Sequence, residues 1–127
     1  EPAEFILDYL APHLDFEKED CSVAVHITCS SRLMGLAQKI VALASMCATS
    51  VTVPTEVGCC GFAGDKGFTH PELNAWGLRK LKPELEAAHV TEGFSNSRTC
   101  EIGLTTNSGI SYNSIAYLVD RCTKAKK

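Results

Sequence analysis

The residues best suited to chemistry in this chain are four of its seven cysteines: Cys29, Cys59, Cys60 and Cys100. Cys59 and Cys60 are adjacent, in the run EVGCCGFAGDKGF at 56–68, with Gly58 and Gly61 on either side. Consecutive Cα atoms lie about 3.8 Å apart, whereas ordinary disulfides prefer roughly 4.4–6.8 Å, so a bridge between these neighbours is strained and easily reduced. Two thiolates aimed at a common acceptor, or at two metal atoms of one cluster, use adjacency more naturally. Gly58 and Gly61 would let the backbone turn tightly and approach that acceptor.

The elements that must position these sulfurs follow from spacing. PAEFILDYL reads as a helix ended by Pro12, with DFEKED after it as a charged loop, so residues 1–20 form an N-terminal helix and loop. SVAVHIT is short and β-branched, a strand. Ser30 and Ser31 can cap one helix carrying Leu33, Leu36, Ile40, Leu43 and Cys47 on its apolar stripe. SVTVPTE is a second strand. Thr69 and Glu72 suggest a capping box for a helix that runs to about Lys82, where Pro83 breaks it. VTEGFSNS is a third, weaker strand and TCEIGLTTN a short helix stopped by Gly109. ISY is a last strand before a helix capped by Asn113 or Ser114, with Ile115, Leu118, Val119 and Cys122 on one face. The basic tail, Arg121, Lys124, Lys126 and Lys127, reads as a frayed solvated end.

Strands alternating with helices imply an α/β fold, a small parallel sheet of three to four strands flanked by helices. In such a sheet the carboxyl ends of the strands share one edge, where ligands bind. Cys29 follows the first strand, Cys59 and Cys60 the second and Cys100 the third. Four sulfurs from three distant positions therefore converge at the C-terminal edge. Cys29 and Cys100 each precede or open a helix, whose first N–H groups favour a thiolate. Arg32 and Arg98 are placed to offset thiolate charge; His26 reads either as a ligand or hydrogen-bond donor to sulfur or, equally, as a half-buried histidine bonded to backbone. Cys47 and Cys122 lie on apolar stripes and read as core, Cys21 as incidental, and Met34 and Trp76 as packing residues.

Structural zinc takes four tetrahedral ligands, often in C-x₂₋₄-C pairs; adjacent cysteines without such a pair fit that pattern badly. An iron–sulfur cluster offers several metal corners, so Cys59 and Cys60 could bind different irons. The remaining composition bounds the setting. A length of 127 residues is that of one domain. The net charge of −3 argues against a nucleic-acid surface, and no apolar run reaches the ~18 residues of a membrane span. An odd cysteine count excludes complete internal pairing and points to a reducing, cytoplasmic compartment. The chain starts with Glu1 inside a helical pattern, as a piece cut from a longer protein would.

HITCSSR, EVGCCGFAGDKGF and SNSRTCEIGL resemble the cysteine-rich CCG domain shared by heterodisulfide reductase subunits and by iron–sulfur subunits of glycolate and lactate oxidation systems. From EPAEFILDYL through YLVDRC the chain is similar to the C-terminal region of FAD-linked D-lactate dehydrogenases that carry a ferredoxin-type segment. The resemblance implies a [4Fe–4S]-type cluster on Cys29, Cys59, Cys60 and Cys100, readily lost from an isolated fragment. It also implies FAD and ferredoxin-type domains elsewhere in the parent chain, which would lie at most peripherally on a membrane. Electrons would pass from flavin, after oxidation of D-lactate or another D-2-hydroxy acid, toward a quinone or cytochrome. Catalytic residues would then lie outside this piece. The family pattern ends in C-x-x-C, whereas this chain has Cys100-Glu101-Ile102-Gly103, so the last thiol is missing. Two other readings remain: a structural docking module with zinc or no metal at the cysteines, and thiol–disulfide chemistry at Cys59–Cys60.

Overall fold

A computed structural model describes residues 1–127. The N-terminal segment is helical from α1 (Pro2–Phe5) through one wide turn, Ile6–Leu10, and one tight turn, Ala11–His13. Pro12 thus sits inside the last turn rather than before it. The segment expected to be a charged loop is instead largely extended: β1 (Leu14–Phe16) and the start of β2 (Glu19–Val25) occupy it. After β2 come α2 (Cys29–Leu33), α3 (Ala37–Cys47) and β3 (Ala48–Thr52). Three short helices follow the cysteine loop, α4 (Lys66–Thr69), α5 (Pro71–Gly77) and α6 (Leu81–Ala87). The chain ends with β4 (Glu92–Ser95), α7 (Arg98–Ser108), β5 (Tyr112–Ser114), α8 (Ile115–Cys122) and β6 (Thr123–Ala125).

The α/β architecture expected from the strand–helix alternation is the one observed. Four parallel strands form one sheet in the order β3-β2-β4-β5, with helices on both faces. Side chains alternate across a strand, and β2 shows the consequence. Val23 and Val25 join one core with Ile40, Leu43, Leu118 and Phe94, beneath α1, α3 and α8. Ala24, between them, joins the other with Leu78, Leu81, Leu85, Leu104 and Tyr112, beneath α6 and α7. The second face is packed so closely that a Cβ on Gly93 would lie 2.5 Å from the Tyr112 ring.

Several local expectations are corrected. The single helix expected up to Cys47 is two, because Gly35 adopts φ +70°, a left-handed turn that ends α2. Its cap is Thr28, whose Oγ1 accepts from the Ser31 N–H at 3.3 Å, not Ser30 or Ser31. Thr69 makes no capping box; its hydroxyl bonds to the Lys66 carbonyl. The helix expected to continue to Lys82 stops at Gly77, and Pro83 lies in the first turn of α6, where its missing N–H costs nothing. Gly109 does end α7, at φ +79°, and Ser114 does cap α8.

The basic tail is not frayed. β6 pairs antiparallel with β1, placing Lys124 opposite Asp15, and Arg121 makes a two-pronged ion pair with Glu92 while also reaching Glu19. No helix is long and apolar enough to cross a membrane.

Candidate functional site

The connections leaving β2, β3 and β4 are held together by side-chain hydrogen bonds to backbone and to one another. Arg32 Nη2 on α2 donates to the Val57 carbonyl at 3.2 Å, tying α2 to the cysteine loop. Asn96 Nδ2, just beyond β4, donates to Ser31 Oγ at 2.7 Å. The Thr55 and Glu56 N–H groups both donate to the Glu84 carboxylate of α6, which anchors the loop where it leaves β3. Asn74 of α5 is buried and donates its amide to the Cys60 carbonyl. Three connections far apart in sequence are thereby fixed against one another.

Each cysteine is presented differently. Cys29 is the first residue of α2 and is exposed. In the loop, Val57, Cys60 and Phe62 are buried while Cys59 is exposed, so the adjacent sulfurs meet different surroundings. Gly61 has φ +73°, and a Cβ there would sit 2.5 Å from the Leu73 carbonyl oxygen, so only glycine fits where the loop passes α5. Gly77 of α5 is pressed against the same loop, its Cβ position 3.2 Å from the Cys59 carbonyl oxygen. Gly58 faces open space, so the close approach expected of both loop glycines is required only at Gly61. The Gly61 N–H then donates to Cys59 Sγ at 3.3 Å. Cys100, half-buried in the first turn of α7, lies with its sulfur 3.0 Å from Cys60 Sγ.

Cys60 and Cys100 thus form a close sulfur pair that crosses the loops, and Cys29 and Cys59 are the two exposed thiols. Burial pushes the Cys29 thiol up, as do a hydrogen bond with Cys59 and the charges of Cys59 and Cys60; Arg32 opposes them. A hydrogen bond from Cys60, helped by Ser97, draws Cys100 down against the opposing effect of burial, and raises Cys60 in turn. Burial alone would have raised both.

Two of the three polar residues expected beside the sulfurs are directed elsewhere. His26 is buried with Nδ1 3.4 Å from Ser95 Oγ, and its Nε2 has no partner. Burial, and secondarily Arg32, hold it neutral, with its pKa lowered to about 4. Its hydrogen bond goes to Ser95 rather than to sulfur. Arg98 is 73% exposed and pairs with Glu101 at 3.6 Å, leaving Arg32 as the cation that tempers Cys29. The positions of Met34 and Trp76 also overturn an expectation: both are exposed, Trp76 by 68%. Trp76 stacks beneath Arg79, whose guanidinium carbon lies 3.6 Å from the ring centroid. With Gly58, Cys59 and Leu73 they line a cleft of about 480 Å³ beside the exposed thiol. Sequence spacing alone marks Leu73 and Trp76 as one helical face; it does not say that the face is left open.

A four-thiol donor set, free of carboxylates and receiving one backbone N–H, suits soft metals and iron–sulfur clusters. No group of three or more His, Cys, Asp and Glu side chains is arranged to hold a metal ion. A fifth thiolate at position 103 has no room, because a Cβ on Gly103 would lie 2.5 Å from Asn74 Nδ2. Comparison with protein-family models, curated proteins and solved structures finds no significant match to this chain.

Proposed function

We propose that this chain is an electron-transfer domain in which Cys29, Cys59, Cys60 and Cys100 hold an iron–sulfur cluster of the [4Fe–4S] type. The observation that carries the reading is the contact of the Cys60 and Cys100 sulfurs at 3.0 Å, with Cys59 beside Cys60 and Cys29 opening α2, on the connections that follow three strands of a parallel sheet. Bound there, such a cluster would supply one-electron transfer. The chain's own part is to place the four sulfurs, to direct the Gly61 N–H at Cys59, and to keep Arg32 near Cys29. Negative charge on the ligands is thereby partly offset without a buried counter-ion.

The finer reading rests on the resemblance of the cysteine motifs. In it the domain belongs to a FAD-linked dehydrogenase of D-lactate or a related D-2-hydroxy acid, and electrons arrive from flavin by way of a ferredoxin-type domain. A quinone or cytochrome would take them onward. Leu33, Met34, Leu73 and Trp76, exposed on elements that flank the cysteines, suit contact with other domains of such a protein. Exposed apolar side chains grouped near a site commonly mark interaction surfaces.

Iron, zinc and acid-labile sulfide, measured after anaerobic reconstitution of the wild type and Cys59→Ser, test the assignment. Iron with matching sulfide, lost in the variant, is the expected result. Zinc alone, or no metal in a correctly folded chain, would replace the cluster reading with the docking-module reading.

A further inference from the structure

The adjacent cysteines invite a vicinal pairing, but their surroundings separate them. Cys60 is only 4% exposed, its carbonyl is held by Asn74, and its sulfur lies 3.0 Å from that of Cys100, forty positions away. Cys59 turns outward and receives the Gly61 N–H. A Cys59–Cys60 bridge would need the short Cα separation of neighbouring residues, which strains a disulfide. A Cys60–Cys100 bridge joins two sulfurs already in contact from different elements.

We propose that Cys60 and Cys100 form an oxidisable dithiol in the metal-free chain, closing to a disulfide that clips α7 to the cysteine loop. The oxidant class is a low-molecular-weight disulfide, R–S–S–R. Cys100, the more accessible of the two, attacks one sulfur of the oxidant. A Cys100–S–S–R mixed disulfide forms and the first R–S⁻ leaves, taking up a proton as RSH. Cys60 then attacks the Cys100 sulfur, the mixed bond breaks, and a second RSH departs. Two thiols and one R–S–S–R become one protein disulfide and two RSH, so two electrons pass to the oxidant and the atoms balance.

The consequence is regulatory. A closed Cys60–Cys100 bridge removes two of the four sulfurs proposed to hold a cluster, leaving only Cys29 and Cys59. Oxidation and metal loading are then mutually exclusive, and reduction of this one bond is the step that reopens the site. That last consequence rests on the cluster reading; the bridge itself does not.

The test uses chelator-treated, metal-free chain oxidised with glutathione disulfide, alkylated, digested and mapped by mass spectrometry. The expected product links the peptide bearing Cys100 to the peptide bearing Cys60. The link persists in Cys59→Ser and disappears in both Cys60→Ser and Cys100→Ser. A bridge confined to Cys59–Cys60, a link that survives in Cys60→Ser, or no link at all would overturn the proposal. Iron and sulfide uptake by the reduced wild type is scored separately. A mapped link without uptake keeps the dithiol and removes the cluster, whereas uptake without the link does the reverse.

Discussion

Asn74 and Gly103 share one volume: the Asn74 amide nitrogen lies 2.5 Å from where a Cβ on Gly103 would stand, and the same amide donates to the Cys60 carbonyl. Its oxygen accepts from Asn107 Nδ2. A buried amide that spans α5, α7 and the cysteine loop fixes the loop's backbone, and it can do so only because position 103 has no side chain. The glycine at position 103 and the buried amide of Asn74 are thus two sides of one packing solution.

Gly103→Ala should therefore destabilise the chain by about 1–3 kcal/mol, the usual cost of overpacking a filled interior. Asn74→Ala should also cost about 1–3 kcal/mol, because the Cys60 carbonyl loses its side-chain donor and the Asn107 amide keeps only the Gly103 carbonyl of its two acceptors. Since the first change acts by clashing with the side chain that the second removes, the double variant should cost less than the sum. Urea unfolding of all four proteins measures the difference; strict additivity would show that the two residues do not compete for space.

The loop glycine makes a second case. Gly61→Ala combines a left-handed backbone at φ +73° with a Cβ driven onto the Leu73 carbonyl, whereas Gly58→Ala meets open space. The first should cost about 2 kcal/mol or more and the second within about 1 kcal/mol. The order of the two unfolding midpoints is decisive, because both glycines flank the same cysteine pair.

Much of this architecture was legible in local pattern. Alternation at Val23, Ala24 and Val25, the helical stripe of α8, the Ser114 cap and the Gly109 stop each declare themselves within a few residues. What escaped depends on partners distant in sequence. The tail reads as solvated because its strand partner, β1, lies over a hundred residues away in a segment that itself reads as a charged loop. Met34 falls within an expected helix but lies just past the end of α2, and Trp76 lies on α5; no spacing reveals that both side chains stay uncovered. Placement of the cysteines after successive strands was inferable; the contact of Cys60 with Cys100 was not, because it depends on how Asn74 and Gly61 set the loop.

The tail pairing carries its own prediction. Arg121 holds Glu92 with two hydrogen bonds of 2.8 and 3.0 Å and Glu19 with one of 2.9 Å. The group is partly solvated, so screening limits its worth, and Arg121→Ala should cost about 1 kcal/mol at low salt. The cost should shrink as salt rises through a few hundred millimolar. An effect unchanged by salt would assign it to the lost packing of the arginine stem over Phe94, whose ring centroid is 6.0 Å from the guanidinium.

His26 gives the fold a defined acid sensitivity. Burial lowers its pKa from 6.5 to about 4, with Arg32 adding to the effect, and its Nε2 lacks an acceptor that could stabilise a proton. Between those two values the unfolded chain binds a proton at this position and the folded chain does not. Stability therefore rises with pH across the window: it is fully present above about pH 6.5 and is lost progressively as pH falls toward 4. A shift of this size corresponds to roughly 3 kcal/mol between the two ends. His26→Gln removes the titration while keeping a polar side chain of similar reach, so its unfolding free energy should vary less between pH 7 and pH 4.5 than that of the wild type. Equal pH slopes in the two proteins would place the acid sensitivity in the carboxylates instead, and would mean that His26 exchanges protons in the folded state much as it does in the unfolded one.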